Sequence, residues 1–117
     1  MQARPPHLPR FIVLDLAIRA IEVLRPTVAR IRNHDRDLGE QVRRALSSSA
    51  LNIAEGNQSQ GGHRLARFST AAGSNAESRA ALRVAVAWGY VQAHEVEPGD
   101  VLLDRVAAML HRLGALR

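Results

Sequence analysis

The sequence contains no cysteine and no lysine, and only four of its 117 residues are Phe, Trp or Tyr. Without cysteine, disulfides, thiolate zinc sites and cysteine nucleophiles are excluded. With so few aromatic rings, the composition predicts no aromatic platform on which single-stranded bases would stack. Long apolar runs are missing too, because residues 11–24 are interrupted by Asp15, Arg19 and Glu22. This stretch is too charged for a signal sequence or a membrane span, and we expect a soluble, cytoplasmic protein.

Positive charge, by contrast, is abundant. All 16 basic residues are arginine, and the formal net charge is +5. Arginine contacts phosphate through two parallel hydrogen bonds and stacks on bases, so nucleic acid is one expected partner. A gene whose base composition favours arginine codons would explain the same count without any ligand. The length fits one domain, which we place at residues 10–117 behind a Pro-rich lead, residues 1–9.

The first predicted helix runs from Pro9 or Arg10 to Arg32 and carries an unusually wide apolar surface. Its apolar residues recur at steps of three or four on two neighbouring faces, which is more than a single bundle seam needs. We therefore expect this helix either to be deeply buried or to meet another subunit. Pro26 predicts a kink rather than a break, because the pattern continues beyond it. The apolar positions are Leu14, Ile18, Ile21, Leu24, Val28 and Ile31, and beside them Ile12 or Val13, Leu16, Ala20 and Val23.

Three further helices are predicted, separated by polar turns. Helix two follows the turn at residues 33–37 and runs from Asp37 to Ala54 or Glu55, with Gly56 as its stop. Helix three follows the polar loop 57–62, and helix four follows the turn 95–100 with Pro98 in its first turn. Their predicted ranges are His63–Ala93 and Pro98–Leu113. Because no strand pattern occurs, we expect an all-α fold, an antiparallel up-down-up-down four-helix bundle.

The centre of helix three, residues 71–76, consists of small residues. Gly73 within it costs about 1 kcal/mol relative to alanine in a helix, which indicates a packing reason for its presence. Small residues let two helix backbones approach closely, and the expected counterpart is the run at residues 47–50 of helix two. The inner face of helix three is expected to carry Leu65, Phe68 or Ser69, Ala72, Ala76, Leu82 or Arg83, Val86 and Tyr90.

Helix two also carries a polar face. Arg44, Ser48, Asn52 and Glu55 are spaced by four, four and three residues, which places them on one side of the helix. Together with Glu77 of helix three, we interpret them as an inter-helix polar seam, a buried and hydrogen-bonded network. A buried Arg44 would need Glu55 or Glu77 as a charge partner. The alternative is a catalytic site that uses Arg44, Glu55 and Glu77.

Patterns typical of metal sites and of nucleophilic catalysis are not found in the sequence. Glu55 and Glu77 lack a histidine three residues later, and the five histidines include no pair spaced by four. The serines at 47–49 have no nearby histidine and no Gly-x-Ser-x-Gly elbow. We predict no catalytic residue, no metal and no cofactor.

Several of these residues together resemble a known family. The segments Gln41-x-x-Arg-Ala45, Ser48, Asn52-Ile-Ala-Glu-Gly56, Gly73-Ser74-x-x-Glu77, Leu82 and Gly89-Tyr90 are similar to the four helix bundle protein family. That family is also known as the 23S rRNA intervening-sequence protein family, and it is similar to the accessory variability determinant of diversity-generating retroelements. The resemblance covers about residues 12–114. Loop 57–62 departs from the pattern, since many members carry lysine and arginine there.

The resemblance implies a small, basic four-helix bundle that assembles as a ring-like homopentamer and has no established enzymatic activity. In the retroelement branch it implies binding to a reverse transcriptase and to nucleic acid. In the other branch it implies a gene that lies within an rRNA insertion.

Six arginines are the candidate nucleic-acid contacts. The bundle topology places those near the first turn at one end and those opening helix three at the other, so it predicts two basic regions, repeated by each subunit of a ring. We expect a non-enzymatic, oligomeric accessory or scaffold protein for RNA, DNA or a nucleic-acid enzyme such as a reverse transcriptase. The alternative is a purely structural protein–protein interaction module with no nucleic-acid ligand. The candidates are Arg30, Arg32, Arg36, Arg43, Arg64 and Arg67.

Overall fold

The computed structural model describes residues 8–114, and the side chains of residues 12–114. Four α-helices occupy nearly all of this range, and it contains no strand. Most of the predicted lead, residues 1–7, lies outside the described residues, whereas positions 8 and 9 already belong to the first helix. The helices are α1 Leu8–His34, α2 Arg36–Asn57, α3 Gly61–Ala87 and α4 Ala93–Arg112.

Each helix runs antiparallel to the helices beside it. Thr27 Oγ1 of α1 donates a hydrogen bond to the carbonyl oxygen of Glu95 in α4 at 3.2 Å. Asn75 Nδ2 of α3 donates to the carbonyl oxygen of Leu103 in α4 at 2.9 Å. Because α2 packs on α1 and α3, and α4 packs on the same two helices, the four helices close into an up-down-up-down bundle. The predicted all-α four-helix bundle is confirmed.

Two apolar clusters fill the interior, one towards each end of the bundle. Small buried polar residues lie between the two clusters along α2 and α3. They are Ser49, Asn75 and Ser78, each at most 2% exposed. Ser78 Oγ donates to the carbonyl oxygen of Asn75 at 2.8 Å, which satisfies that hydroxyl. The first cluster includes Leu24, Ile31, Val42, Leu82 and Leu103, and the second includes Val13, Ile53, Phe68, Val106 and Leu110.

The apolar surface of α1 is wider than the core uses. Leu24 is fully buried, but Ile18 is 45% exposed and Ile21 is only half-buried. We expected this helix either to be deeply buried or to meet another subunit. The bundle covers only one of its two apolar faces, so the expectation of deep burial is wrong. The helix continues through Pro26 without a break, as the sequence pattern predicts.

The connection between α3 and α4 differs from the predicted one. We expected α3 to end at Ala93 and α4 to begin at Pro98, but α3 ends six residues earlier, at Ala87, and α4 begins five residues earlier, at Ala93. Gly89 adopts φ +79°, a left-handed conformation that glycine tolerates, and ends α3. The Glu95 carboxylate then accepts a hydrogen bond from the Gln92 backbone N–H at 2.7 Å and caps the start of α4.

Gly56 is not the helix stop that the sequence suggested. It is buried inside α2, which continues to Asn57, and a Cβ atom at this position would lie 2.5 Å from Cε1 of Phe68. The glycine is therefore needed for the close approach of α2 to α3 rather than for a turn. The inner face of α3 also differs: Leu65 and Ala76 are exposed, and Asn75 and Ser78 are buried instead.

Candidate functional site

The predicted polar seam lies along the outer edge of the α2–α3 pair. Ser48 Oγ lies 2.9 Å from Ser74 Oγ, so the two hydroxyls link the helices. Asn52 Nδ2 donates to the carbonyl oxygen of Ser48 at 2.9 Å. One turn further, the Glu55 carboxylate forms an ion pair with Arg67 at 3.0 Å. Both side chains of this ion pair are more than half exposed, so the pair contributes little to stability.

Arg44 and Glu77, the two outer members of the predicted seam, are both exposed. The register that sets Ser48 opposite Ser74 also places Arg44 level with residue 78, beside Glu77. Within the described residues, however, neither side chain forms an ion pair. The expectation of a buried Arg44 is wrong, because this edge of the helix pair faces outward and leaves the guanidinium hydrated.

Four of the six candidate arginines already pair with carboxylates of the same chain. Phosphate contacts through these four would have to compete with the resident carboxylates. Within the described residues, only Arg36 and Arg64 of the six form no ion pair. The four pairs are Arg30 with Glu95, Arg32 with Glu40, Arg43 with Glu40, and Arg67 with Glu55.

Glu40 holds two of these arginines on the surface between α1 and α2. Its carboxylate lies 2.9 Å from Arg32 Nε and 2.9 Å from Arg43 Nη2. The hydrogen bond from Arg43, with the charge of Arg32, lowers the pKa of Glu40 below its ordinary value, and the same hydrogen bond raises the pKa of Arg43. The carboxylate is therefore ionised at neutral pH and neutralises part of the basic surface.

Next to this cluster, apolar side chains remain partly uncovered, and we call this surface the α1–α2 face and define it as Ile18, Ile21 and Leu51. Ile21 and Leu46 line a groove of about 200 Å³ between the two helices. Ile18 lies one turn from Ile21, and Leu51, which is 63% exposed, lies one turn from Ser47, which also lines the groove. Apolar side chains this exposed on two adjacent helices are typical of a contact surface.

Three ring side chains stack at the end of the bundle where α1 meets α2 and α3 meets α4. We call His34, Tyr90 and Trp88 the aromatic ladder. The ring centroids of His34 and Tyr90 are 5.3 Å apart with 9° between the planes. Those of Trp88 and Tyr90 are 6.4 Å apart with 17° between the planes. Trp88 is 70% exposed, so a preformed stack reaches the surface.

Tyr90, in the middle of the ladder, is held by a further contact. Its hydroxyl donates a hydrogen bond to Asp35 Oδ2 at 3.4 Å. Loss of hydration and the neighbouring Asp35 charge raise the pKa of Tyr90, so the phenol stays protonated and remains a donor.

The composition, with only four Phe, Trp and Tyr residues, gave no reason to expect three stacked rings. The fold gathers two of the four aromatic residues and a histidine at one end. The sequence did contain a signal: up-down topology brings the turn after His34 and the turn at 88–92 to the same end of a four-helix bundle.

Two further properties concern metals and membranes. Among the described residues, no group of three or more His, Asp or Glu side chains is placed to hold a metal ion. No helix within residues 8–114 has the length and apolar character needed to cross a membrane.

Comparison with known proteins identifies one family. A family model described as 23S rRNA-intervening sequence protein matches residues 13–112, which confirms the resemblance drawn from the motifs of α2 and α3. No curated protein and no solved structure matches the chain.

Proposed function

The chain belongs to the 23S rRNA-intervening sequence protein family, and we propose that it is a non-enzymatic accessory protein that acts as a homo-oligomeric scaffold. Its partner is RNA, DNA or a nucleic-acid enzyme such as a reverse transcriptase. The expected assembly is a ring, with five copies as the favoured number, and the expected compartment is the cytoplasm.

The observation that carries this proposal is the uncovered α1–α2 face. Ile18 is 45% exposed and Leu51 is 63% exposed, whereas the side chains of the core are buried. Burying a fully exposed Leu or Ile contributes about 1.5–3 kcal/mol, so covering the exposed part of each side chain contributes roughly half of that. A second copy of the chain is the occupant that the family resemblance suggests, and head-to-tail contacts between copies close into rings when the rotation allows.

Light scattering tests the assembly directly. We expect a mass that is a multiple of the 12.8 kDa chain, fivefold for a pentamer. The double variant Ile18→Ser/Leu51→Ser should retain its helical content, because both side chains are exposed, and should have the mass of one chain. Leu65→Ser, at a position 37% exposed on α3, is the matched control and should assemble normally. A wild-type chain that is monomeric at micromolar concentration would refute the scaffold proposal.

The non-enzymatic part of the proposal is supported by the geometry of the carboxylates. Arg44, Glu55 and Glu77 lie on an outward edge, and Glu55 is engaged with Arg67. A catalytic carboxylate typically lies in a cleft that excludes water. An exposed edge does not exclude water.

The proposal includes binding of nucleic acid through the arginines. Arg36 and Arg64 are the candidates that form no ion pair within the described residues, and they lie at opposite ends of the bundle. We expect Arg36→Ala/Arg64→Ala to weaken RNA binding and to reduce its dependence on salt, because fewer counterions are released. Wild-type protein that binds no RNA or DNA at low salt would favour the alternative, a protein–protein interaction module.

A further inference from the structure

We propose that the aromatic ladder is a stacking site for an unpaired base of single-stranded nucleic acid, with Trp88 as the contacting ring. This inference rests on the proposed nucleic-acid partner and restricts it to single strands.

The geometry of the rings provides the first argument. His34, Tyr90 and Trp88 are nearly parallel, with 9° and 17° between neighbouring planes, so they form a stack before any ligand arrives. A long hydrogen bond of 3.4 Å from the Tyr90 hydroxyl to Asp35 Oδ2 adds a second contact to the central ring. Because the rings already stack on one another, a base that extends the stack orders fewer side chains than it would at separate rings.

The exposure of Trp88 provides the second argument. An indole is a large apolar group, and a tryptophan that serves the core is mostly buried. Trp88 is 70% exposed and lies at the outer end of the ladder. Every base has a π-face that can stack on such a ring, and in a duplex those faces are covered by neighbouring base pairs. The site therefore suits an unpaired base.

The charges around the ladder indicate which interaction dominates. Arg36 and Asn33 lie within two residues of His34 and line a surface groove, where they can contact a phosphate. Asp35 and Asp37 lie at the same end of the bundle, so two carboxylates face the single positive charge of Arg36. We therefore expect stacking to supply most of the affinity, with only one or two phosphates contacted.

The experiment uses Trp88 itself, which is the only tryptophan in the chain. A ten-nucleotide uridine RNA is titrated into the full-length protein while indole emission is recorded. We expect saturable quenching, and a plot of log affinity against log salt with a slope of about −0.7 per contacted phosphate. A duplex RNA of the same length and the free nucleotide UMP should quench weakly at equal concentration.

Variants are compared by the anisotropy of a fluorescein-labelled copy of the same RNA. Removing one base–aromatic contact typically loses about 5- to 150-fold in affinity, and we expect this loss for Trp88→Ala. Trp88→Phe, which keeps a ring, should lose less. Val101→Ala is the matched control, since Val101 is 54% exposed on α4, and it should bind as wild type does.

Four outcomes would overturn the inference. These are an absence of quenching by the uridine RNA, equal affinity for the duplex, equal affinity for UMP, and unchanged RNA affinity in Trp88→Ala. A lower assembly mass for Trp88→Ala in light scattering would also overturn it, since the ring would then be a contact between subunits. If Arg36→Ala/Arg64→Ala weakens RNA binding and Trp88→Ala does not, the stacking inference fails while the proposed nucleic-acid role stands.

Discussion

The same substitution, glycine to alanine, should have opposite effects at two helical positions of this bundle. Gly99 lies in α4 against Leu24 of α1, and a Cβ atom there would approach three side-chain carbons of Leu24 to within 2.7 Å. Leu24 is fully buried in the first core cluster, so its side chain must shift within a packed interior. Gly73 lies exposed in α3, where a Cβ atom would meet nothing within 4 Å, so the packing reason expected for this glycine is not found within the described chain.

The magnitudes follow from two opposing effects. Alanine is favoured over glycine in a helix interior by roughly 0.5–1 kcal/mol, and this gain applies at both positions. Forcing an extra carbon into a packed core costs about 1–3 kcal/mol. We therefore expect Gly73→Ala to raise the free energy of unfolding by roughly 0.5–1 kcal/mol, because only the helix preference acts. Gly99→Ala should lower it by about 0.5–2 kcal/mol, because the steric cost exceeds that gain.

Urea unfolding followed by circular dichroism measures both changes. The variants should shift the unfolding midpoint in opposite directions with unchanged slopes, since the area exposed on unfolding is the same. Light scattering on each sample must accompany the measurement, because a change in assembly would alter the apparent stability. A Gly99→Ala chain as stable as wild type, or a destabilised Gly73→Ala chain of unchanged mass, would refute the packing argument.

Three further substitutions test other features. Asn75→Ala should lower the free energy of unfolding by about 1–2 kcal/mol in urea, because a buried hydrogen bond to α4 is lost; an unchanged midpoint would contradict this. The lowered pKa of Glu40 means that its contribution to stability is present at neutral pH and lost as pH falls through that pKa. Glu40→Gln should therefore lose less stability than wild type between neutral pH and about pH 3, and an equal loss would exclude this role. Glu77 is exposed and forms no ion pair within the described chain, so its carboxylate is available to a neighbouring copy. Glu77→Ala should therefore reduce the assembly mass at unchanged helical content. Unchanged mass and melting temperature would reject an assembly role.

Local patterns predicted helix number and order well, and helix ends less well. The polar residues at 33–37 correctly indicated the first turn, where Asp35 accepts a hydrogen bond from the Leu38 backbone N–H. Pro98 suggested too late a start for α4, because proline also fits the first turn of a helix. Gly89 and the Gln92–Glu95 cap determined the actual boundary. Two valid local signals competed there, and sequence alone does not rank them.

The candidate site was predicted only in part, for a related reason. Helical spacing correctly placed Ser48 and Asn52 on the side of α2 that meets α3. The exposure of Arg44 was not predictable, because spacing defines a face of a helix but not how far a neighbouring helix covers it. The pairing of four arginines with carboxylates depends in the same way on contacts between helices or between turns of one helix.

The sequence by itself determined an all-α chain of four helices, its antiparallel order and its family, because periodicity and short motifs act over a few residues. The tertiary structure alone decided which charges neutralise each other and which apolar side chains remain uncovered. It also brought His34 of the first turn beside Tyr90 and Trp88 of the last. Such long-range contacts arise from the packing of whole helices, so a count of four aromatic residues gave no indication of the aromatic ladder.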